Sequence, residues 1–204
     1  MKLFWDERRG RFGLLIALLG LILICSILQV FADYTVPGLR YDRNAVLAGQ
    51  AWRLLTGNLV HLGGLHLLFN LGTVLIFWLL FGRALSARPV ILVFVLACLA
   101  TGAGLLLFNP SITWYVGLSG CLYGLLVYGG LATLRTQPLL SSAVLIIIMV
   151  KLGYEKLVGP LPGYDIIGAS VITDAHLYGA IMGLLAGAGC VIRPALSRDT
   201  KSLT

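Results

Sequence analysis

Two residue types that act together in nucleophilic catalysis occur inside otherwise apolar stretches of this chain. Ser119 lies in GLSGCLYG (117–124), and His176 lies in DAHLYGAIMG (174–183). A serine hydroxyl is a poor nucleophile until a neighbouring base removes its proton. Histidine is the usual base, and it can later return the proton to the leaving group. The pair therefore predicts acyl-transfer chemistry, with Ser119 as nucleophile and His176 as base and acid.

Further polar residues could support that chemistry. Attack on an amide carbonyl produces an oxyanion, which is stabilised by donors aimed at it in advance. His66 and Asn70 are four residues apart, so on a helix they share one face. We expect their side chains and the backbone N–H of Ser119 to form an oxyanion hole. Tyr123 follows Ser119 by four residues and is placed to pack its ring on His176.

No carboxylate is evident from the sequence as a third catalytic group. Asp174 is two residues before His176, so on a helix it points away from that side chain. We therefore expect a Ser–His dyad rather than an Asp-assisted triad. Lys151 and Glu155 have i, i+4 spacing, which is typical of an ordinary helical ion pair. A gating role for the helix that carries them is the alternative interpretation.

The composition places these residues in a membrane protein. The 204 residues are 59% hydrophobic and 11% charged, with a mean hydropathy of +0.96, whereas soluble domains carry about 25% charged residues. A bilayer admits only helices or a closed barrel. Barrel strands alternate apolar and polar residues, and LLIALLGLILICSIL (14–28) does not. The predicted fold class is therefore an all-α membrane bundle.

Apolar length predicts six membrane spans within one domain that covers residues 1–204. Each span needs about 20 apolar residues, and the candidates are 12–32, 59–81, 90–108, 117–134, 139–157 and 172–192. The first could be mistaken for a signal peptide, but it exceeds the apolar length of about 7–15 residues that is typical of one. We interpret it as a retained helix.

The basic residues predict the orientation. The net charge is +7, which in this class of protein indicates loop topology rather than nucleic-acid binding. One side of the predicted bundle carries twice as many basic residues as the other. The richer side holds Lys2, Arg8, Arg9, Arg11, Arg83, Arg88, Arg135, Arg193, Arg198 and Lys201, and the other holds Arg40, Arg43, Arg53, Lys151 and Lys156. Both termini are therefore expected in the cytoplasm, with Ser119 and His176 near the outer face.

Glycines predict which helices meet. Gly120 and Gly124 are four apart on the fourth span, and Gly179, Gly183 and Gly187 repeat that spacing on the sixth. Small residues at this spacing let membrane helices approach closely. Such an approach would bring the serine and the histidine together. The cysteines (Cys25, Cys98, Cys121 and Cys190) match no metal-binding spacing and are interpreted as small core residues.

Taken together, these motifs resemble those of the rhomboid intramembrane serine proteases. The resemblance rests on G-x-S-G around the serine, H-x4-H-x3-N on the second span, A-H-x-x-G-x3-G on the sixth and a W-R pair before the second. In this chain the motif residues are Gly117, Ser119 and Gly120; His61, His66 and Asn70; Ala175, His176, Gly179 and Gly183; and Trp52 and Arg53. The resemblance implies a Ser119–His176 dyad, an oxyanion hole with His66 and Asn70, and scaffolding roles for His61, Trp52 and Arg53.

A narrower resemblance is to the rhombosortase branch, carried by VKLGYEKLVGP (150–160) and DAHLYGAIMG (174–183). It implies substrates anchored in the membrane by a C-terminal tail with a Gly-Gly motif. The expected location is a bacterial inner membrane, with the active site facing the periplasm. We expect no cofactor, no metal and no nucleic-acid partner; the partners are membrane-anchored substrates and the lipid bilayer.

Two other functional classes remain open. A transporter would use the intramembrane histidines and asparagine to bind or relay ions, but it would need polar groups in the inner half, where few occur. A non-catalytic rhomboid relative would bind membrane proteins without cutting them. Such relatives usually lack the serine or the histidine, and both residues are present here.

Overall fold

A computed structural model describes the backbone of residues 2–162 and 171–199, and side chains within 10–162 and 171–190. Several basic residues used to predict the orientation, and most of the turn before the last helix, fall outside the described side chains. Six helices of 15 residues or more occur in the described ranges. They are α1 (Lys2–Val30), α5 (Gly64–Phe81), α6 (Ala87–Phe108), α7 (Ser119–Thr133), α8 (Pro138–Leu157) and α9 (Thr173–Asp199).

Four segments are long and apolar enough to cross a membrane: 10–30 in α1, and the whole of α5, α6 and α8. Their outward faces carry large exposed apolar side chains, such as Leu79 on α5 and Ile147 on α8. An apolar surface of this extent suits lipid rather than water. The chain is therefore a mostly helical membrane bundle, as the composition predicted.

The shorter apolar helix α7 lies at the centre, and most of its residues are buried. Its closest neighbour is α9, and glycines line the crossing. A Cβ atom on Gly179 would overlap the carbonyl oxygen of Gly120, and one on Gly183 would overlap that of Gly124. The predicted approach of these two helices is therefore observed, at a spacing that only glycine permits.

Short elements between α1 and α5 cover one end of the bundle. They are α2 (Ala32–Leu39), β1 (Tyr41–Asp42), α3 (Arg43–Leu47) and α4 (Arg53–Thr56). Strand β1 pairs antiparallel with β2 (Trp114–Tyr115), which one residue separates from the GLSG segment. Asp42 caps α3 by accepting from the backbone N–H of Ala45 at 3.1 Å. The connection from α1 to α5 is therefore an ordered structure fixed to the chain beside Ser119.

The second predicted span began at residue 59, whereas α5 begins at Gly64. The residues before it, 60–62, have no helical structure. Gly63 is extended, with φ of −178°, and it provides the N-terminal boundary of the helix. His61 thus lies in the preceding loop, while His66 and Asn70 lie on the helix. The expectation that His61 sits on the second helix was wrong, because residues 60–63 are not helical and the helix begins only at Gly64.

Candidate active site

Ser119 is the first residue of α7, and the backbone before it has an unusual shape. Gly117 has φ of +122°, a value that L side chains rarely adopt. A Cβ there would also lie 2.6 Å from Cε1 of His66. The Tyr115 hydroxyl donates to the Gly117 carbonyl at 2.6 Å, and burial raises the pKa of Tyr115, so the phenol remains a donor. Glycine at position 117 therefore lets the chain turn sharply into the helix that presents Ser119.

The structure brings Ser119 and His176 into hydrogen-bond contact. Ser119 Oγ lies 3.0 Å from Nε2 of His176, and the histidine is 2% exposed. The Tyr123 ring stacks on the imidazole with ring centroids 4.5 Å apart and an interplanar angle of 20°. The predicted Tyr123–His176 packing is therefore confirmed. The stacked tyrosine ring restricts rotation of the imidazole, so that Nε2 stays directed at Ser119.

The other ring nitrogen of the histidine contacts a carboxylate that the sequence analysis did not assign to the site. Oε2 of Glu155, on α8, lies 2.9 Å from Nδ1 of His176, and both side chains are almost fully buried. The second oxygen, Oε1, accepts from Lys151 Nζ at 2.5 Å. The predicted Lys151–Glu155 ion pair is present, but it is not an ordinary surface pair. The sequence analysis expected a Ser–His dyad because no third carboxylate was evident, whereas the structure places the Glu155 carboxylate against the histidine.

Two of the predicted oxyanion donors face the region around Ser119. Nδ1 of His66 accepts from the backbone N–H of Leu62 at 3.5 Å, which leaves Nε2 as the protonated nitrogen. That edge of the ring faces Gly117, two residues before the serine. Asn70 is 4% exposed and uses one amide hydrogen on the His66 carbonyl at 3.1 Å. Asn70 also lines a cavity that reaches Ser119, so its second amide hydrogen can donate to a group bound beside the serine.

Comparison with known proteins shows the family to which this chain belongs. The family model described as "Rhomboid domain" matches residues 48–193, which include every element of the site. The chain belongs to the rhomboid family. It is 30% identical over 191 residues to the "Rhomboid protease GlpG" of an Enterobacter species, covering 87% of this chain and 62% of that protein. It thus spans about three fifths of that relative's length.

Two further rhomboid relatives carry the same name. The GlpG of Haemophilus influenzae is 26% identical over 192 residues, which cover 92% of this chain and 94% of that protein. The GlpG of Salmonella newport is 29% identical over 179 residues, which cover 83% of this chain and 59% of that protein. The similarity therefore extends over 83–92% of the present chain in the three relatives, and over 94% of the Haemophilus protein.

The three residues for which the rhomboid resemblance implied scaffolding lie away from the serine. Arg53 is 8% exposed and donates to the carbonyls of Pro37 and Arg40, at 3.0 and 2.9 Å, and to the Gln50 side chain. It thereby holds together the segment before α5. Trp52 is 53% exposed, with its indole nitrogen 3.5 Å from a backbone carbonyl. His61 is buried, and its ring meets that of His66 edge-on at 5.1 Å.

Asp174 lies apart from the reacting groups, as predicted. It accepts from the Asn109 side-chain amide at 2.7 Å and from Lys156 Nζ at 2.9 Å. Asn109 accepts in turn from the Tyr178 hydroxyl. These contacts join α6, α8 and α9 next to the site without touching His176. Among the side chains that the structure describes, within 10–162 and 171–190, no group of three or more His, Cys, Asp or Glu residues is arranged to hold a metal ion.

Two cavities reach Ser119. One, of about 350 Å³, lies beside β2 and is bounded by His66, Trp114 and Ile172. The other, of about 560 Å³, has walls from α5, α7, α8 and α9 and includes Asn70 and Lys151 among its lining residues. Ser119 and His66 border both. A chain lying across the two cavities would therefore pass the serine hydroxyl.

Proposed function

We propose that this rhomboid is a serine endopeptidase that cuts membrane-anchored proteins, with Ser119 as nucleophile and His176 as general base. The observation that carries the proposal is the 3.0 Å contact between Ser119 Oγ and His176 Nε2 at the meeting point of two cavities. That distance is within the reach that a general base needs for the proton it removes. The printed names of the relatives, each a rhomboid protease, support the same reaction.

In the acylation step, Ser119 Oγ forms a bond to the carbonyl carbon of the substrate while its proton moves to Nε2 of His176. The carbonyl π electrons shift to oxygen and give a tetrahedral oxyanion. When this intermediate collapses, the C–N bond breaks and the leaving amine takes the proton from Nε2. Water then attacks the acyl-enzyme by the same proton route, releasing the new C-terminal carboxylate and restoring both side chains.

The donors for the oxyanion are the His66 Nε2–H, the second amide hydrogen of Asn70 and the backbone N–H of Ser119. The first backbone N–H groups of a helix have no partner within that helix, so the N-terminus of α7 supplies a donor directly at the nucleophile. The positive end of the helix dipole adds to the stabilisation. Each donor is fixed before the reaction, so little reorganisation is needed when charge develops.

The substrate is proposed to be a single-pass membrane protein that is cut near the outer face. The larger cavity lies between α5 and α8, where the exposed apolar side chains of Leu68 and Phe69 flank it. A transmembrane segment could lie against that surface while its adjoining peptide bond reaches Ser119. The associated topology is six spans with both termini cytoplasmic, in a bacterial inner membrane with the active site towards the periplasm. The distribution of Lys and Arg supports that orientation.

The substrates proposed within this class are proteins with a C-terminal Gly-Gly motif, an apolar helix and a basic tail, as in the rhombosortase branch. Support comes from residues 150–160 and 174–183, which carry the resemblance and also contribute Lys151, Glu155 and His176 to the site. Co-expression with a Gly-Gly-tailed protein, followed by mass analysis of its C-terminus, tests the substrate. The control is the same protein with Val-Val in place of Gly-Gly. Equal cutting of both would refute the branch assignment while leaving the protease intact.

Cleavage of a fluorogenic single-pass substrate in proteoliposomes tests the activity itself. The wild-type protein should cut it, and Ser119→Ala and His176→Ala should not, while both variants keep the wild-type melting temperature and cross-link to the substrate. Undiminished cleavage by Ser119→Ala would overturn the protease proposal. Cross-linking without cleavage by the wild type would instead favour a non-catalytic membrane-protein binder.

A further inference from the structure

We infer that Glu155 is a positioning residue for His176, so that the reacting unit is a Ser–His–Glu triad rather than a dyad. This inference rests on the proposed function. The carboxylate oxygen Oε2 lies 2.9 Å from Nδ1, on the side of the ring opposite the nitrogen that faces Ser119. Serine, histidine and carboxylate are thus in line across three helices, α7, α9 and α8.

The contact determines which nitrogen of the imidazole carries the proton. An ionised carboxylate only accepts hydrogen bonds, so Nδ1 must be the protonated nitrogen. Nε2 then presents its lone pair to the hydroxyl of Ser119, as a general base must. Once the serine proton has moved to Nε2, the imidazolium keeps its Nδ1–H bond to the Glu155 carboxylate. The negative charge next to the ring stabilises that imidazolium.

Lys151 allows Glu155 to remain charged in an apolar bundle. A buried carboxylate is costly unless it is paired and its oxygens are hydrogen-bonded. Here Oε1 accepts from Lys151 Nζ and Oε2 faces the histidine, so each oxygen has a partner. Lys151 Nζ also lies 4.7 Å from the centroid of the Tyr123 ring, which stacks on His176. Lysine, glutamate, histidine and tyrosine therefore form one packed cluster around the base.

A neighbouring ion pair allows two roles of Glu155 to be distinguished, positioning His176 and simply linking α8 to α9. A second ion pair joins α8 to α9, between Lys156 and Asp174 at 2.9 Å, and its lysine side chain is 66% exposed. It does not touch the imidazole. Lys156→Gln therefore removes one α8–α9 ion pair and leaves the base alone, and it is the matched control for Glu155→Gln. Among residues 10–162 and 171–190, the charged or titratable groups facing His176 are Glu155 and Lys151 from α8, Tyr123 from α7 and His66 from α5.

The test is steady-state cleavage of the fluorogenic single-pass substrate in proteoliposomes, with melting temperatures measured in parallel. Loss of the orienting carboxylate in soluble serine proteases lowers kcat by about 10⁴-fold. Glu155→Gln should lower kcat by about 10²–10⁴-fold and leave KM within about threefold of wild type. Lys156→Gln should change kcat by less than about fivefold, because the pair is exposed. Glu155→Asp, with a carboxylate one methylene shorter, should retain more activity than Glu155→Gln.

The pH profile of kcat distinguishes the two roles. A residue that only holds α8 and α9 together would not change the pH dependence of kcat. Without the carboxylate the imidazolium forms less readily, so the acid limb for Glu155→Gln should shift to lower pH, and the limb for Lys156→Gln should not. If Glu155→Gln fails to fold, kcat of Glu155→Asp and its pH dependence test the positioning role instead. Wild-type kcat in a folded Glu155→Gln protein, or equal losses in both Gln variants with no shift of the acid limb, would overturn the inference. An inactive wild type would instead refute the protease proposal.

Discussion

Replacing Gly124 with alanine should separate α7 from α9 and slow the reaction without altering a reacting group. A Cβ at position 124 would lie 2.7 Å from the carbonyl oxygen of Gly179 and 2.8 Å from Cβ of Ala97, whereas ordinary contact begins at 3.4 Å. The obstructing oxygen belongs to the backbone of α9, so no flexible side chain can move aside. The helices must therefore separate by the difference between 3.4 and 2.7 Å, about 0.7 Å.

A displacement of that size is enough to break the Ser119–His176 hydrogen bond. The two atoms are 3.0 Å apart, and an added 0.7 Å gives about 3.7 Å, which is no longer a hydrogen bond. A misplacement of about 1 Å costs about 10²-fold in rate. We therefore expect kcat to fall by about 10- to 100-fold, or about 1.4–2.7 kcal/mol in activation free energy. Overpacking should also lower the free energy of unfolding by about 1–3 kcal/mol.

Cleavage of the fluorogenic substrate in proteoliposomes measures the first effect, and thermal unfolding in detergent micelles measures the second. The matched control is Gly189→Ala on α9, where an added Cβ meets nothing within 4 Å. That variant should keep wild-type kcat and stability. If folded Gly124→Ala protein showed the same kcat as Gly189→Ala, the α7–α9 spacing would not control the geometry of the site.

Three other outcomes follow from the structure. Asn70→Ala should lower kcat by about 10²–10³-fold with little change in KM, and a larger effect on KM than on kcat would contradict its oxyanion role. Arg53→Ala should lower the free energy of unfolding by about 1–3 kcal/mol, because the buried guanidinium no longer donates to the carbonyls of Pro37 and Arg40; unchanged thermal unfolding would contradict this. The pKa of Asp42 is held below its ordinary value of 3.8, chiefly by the hydrogen bond from the backbone N–H of Ala45; burial opposes this effect, and Arg40 adds to the lowering. A lowered pKa stabilises the fold above about pH 4 and ceases to do so as the pH falls. Asp42→Ala should therefore be about 1 kcal/mol less stable than wild type at pH 7, with the difference shrinking towards pH 3, and a constant difference would refute the assignment.

The contact between the serine and the histidine could be predicted from the sequence because it depends on local rules. Glycines spaced by four mark the faces of α7 and α9 that meet, and Ser119 and His176 lie on those faces at the same end. Tyr123 follows from the same periodicity, one helical turn after the serine. Helical spacing combined with the close approach of small residues was therefore sufficient to place three members of the site.

Glu155 could not be placed from the sequence because its partner lies on another helix. The i, i+4 spacing to Lys151 already offers a complete explanation for the carboxylate. Which face of α8 turns towards α9 depends on packing between helices joined by a long connection, and no local rule sets it. A useful signal was nevertheless present, since a carboxylate in an apolar span is a functional candidate in its own right.

The structure of the region before α5 could not be predicted from sequence periodicity either. Strands β1 and β2 have two residues each, too few for an alternating pattern to be seen. The apolar neighbours of His61 favour a helix at that position, whereas the Gly63–Gly64 pair marks the helix boundary. The two backbone carbonyls to which Arg53 donates, those of Pro37 and Arg40, could not be predicted either, because their positions depend on the path of the folded loop.

The most direct measurement of the proposed chemistry is to locate the covalent adduct of a fluorophosphonate probe by peptide mass spectrometry. Such a probe reacts with an activated serine and not with an ordinary hydroxyl. The wild-type protein should carry a single adduct on Ser119, and His176→Ala should carry none while remaining folded. An adduct on a different serine, or labelling of Ser119 that persists at the wild-type rate in His176→Ala, would contradict the assignment of Ser119 and His176 as nucleophile and base.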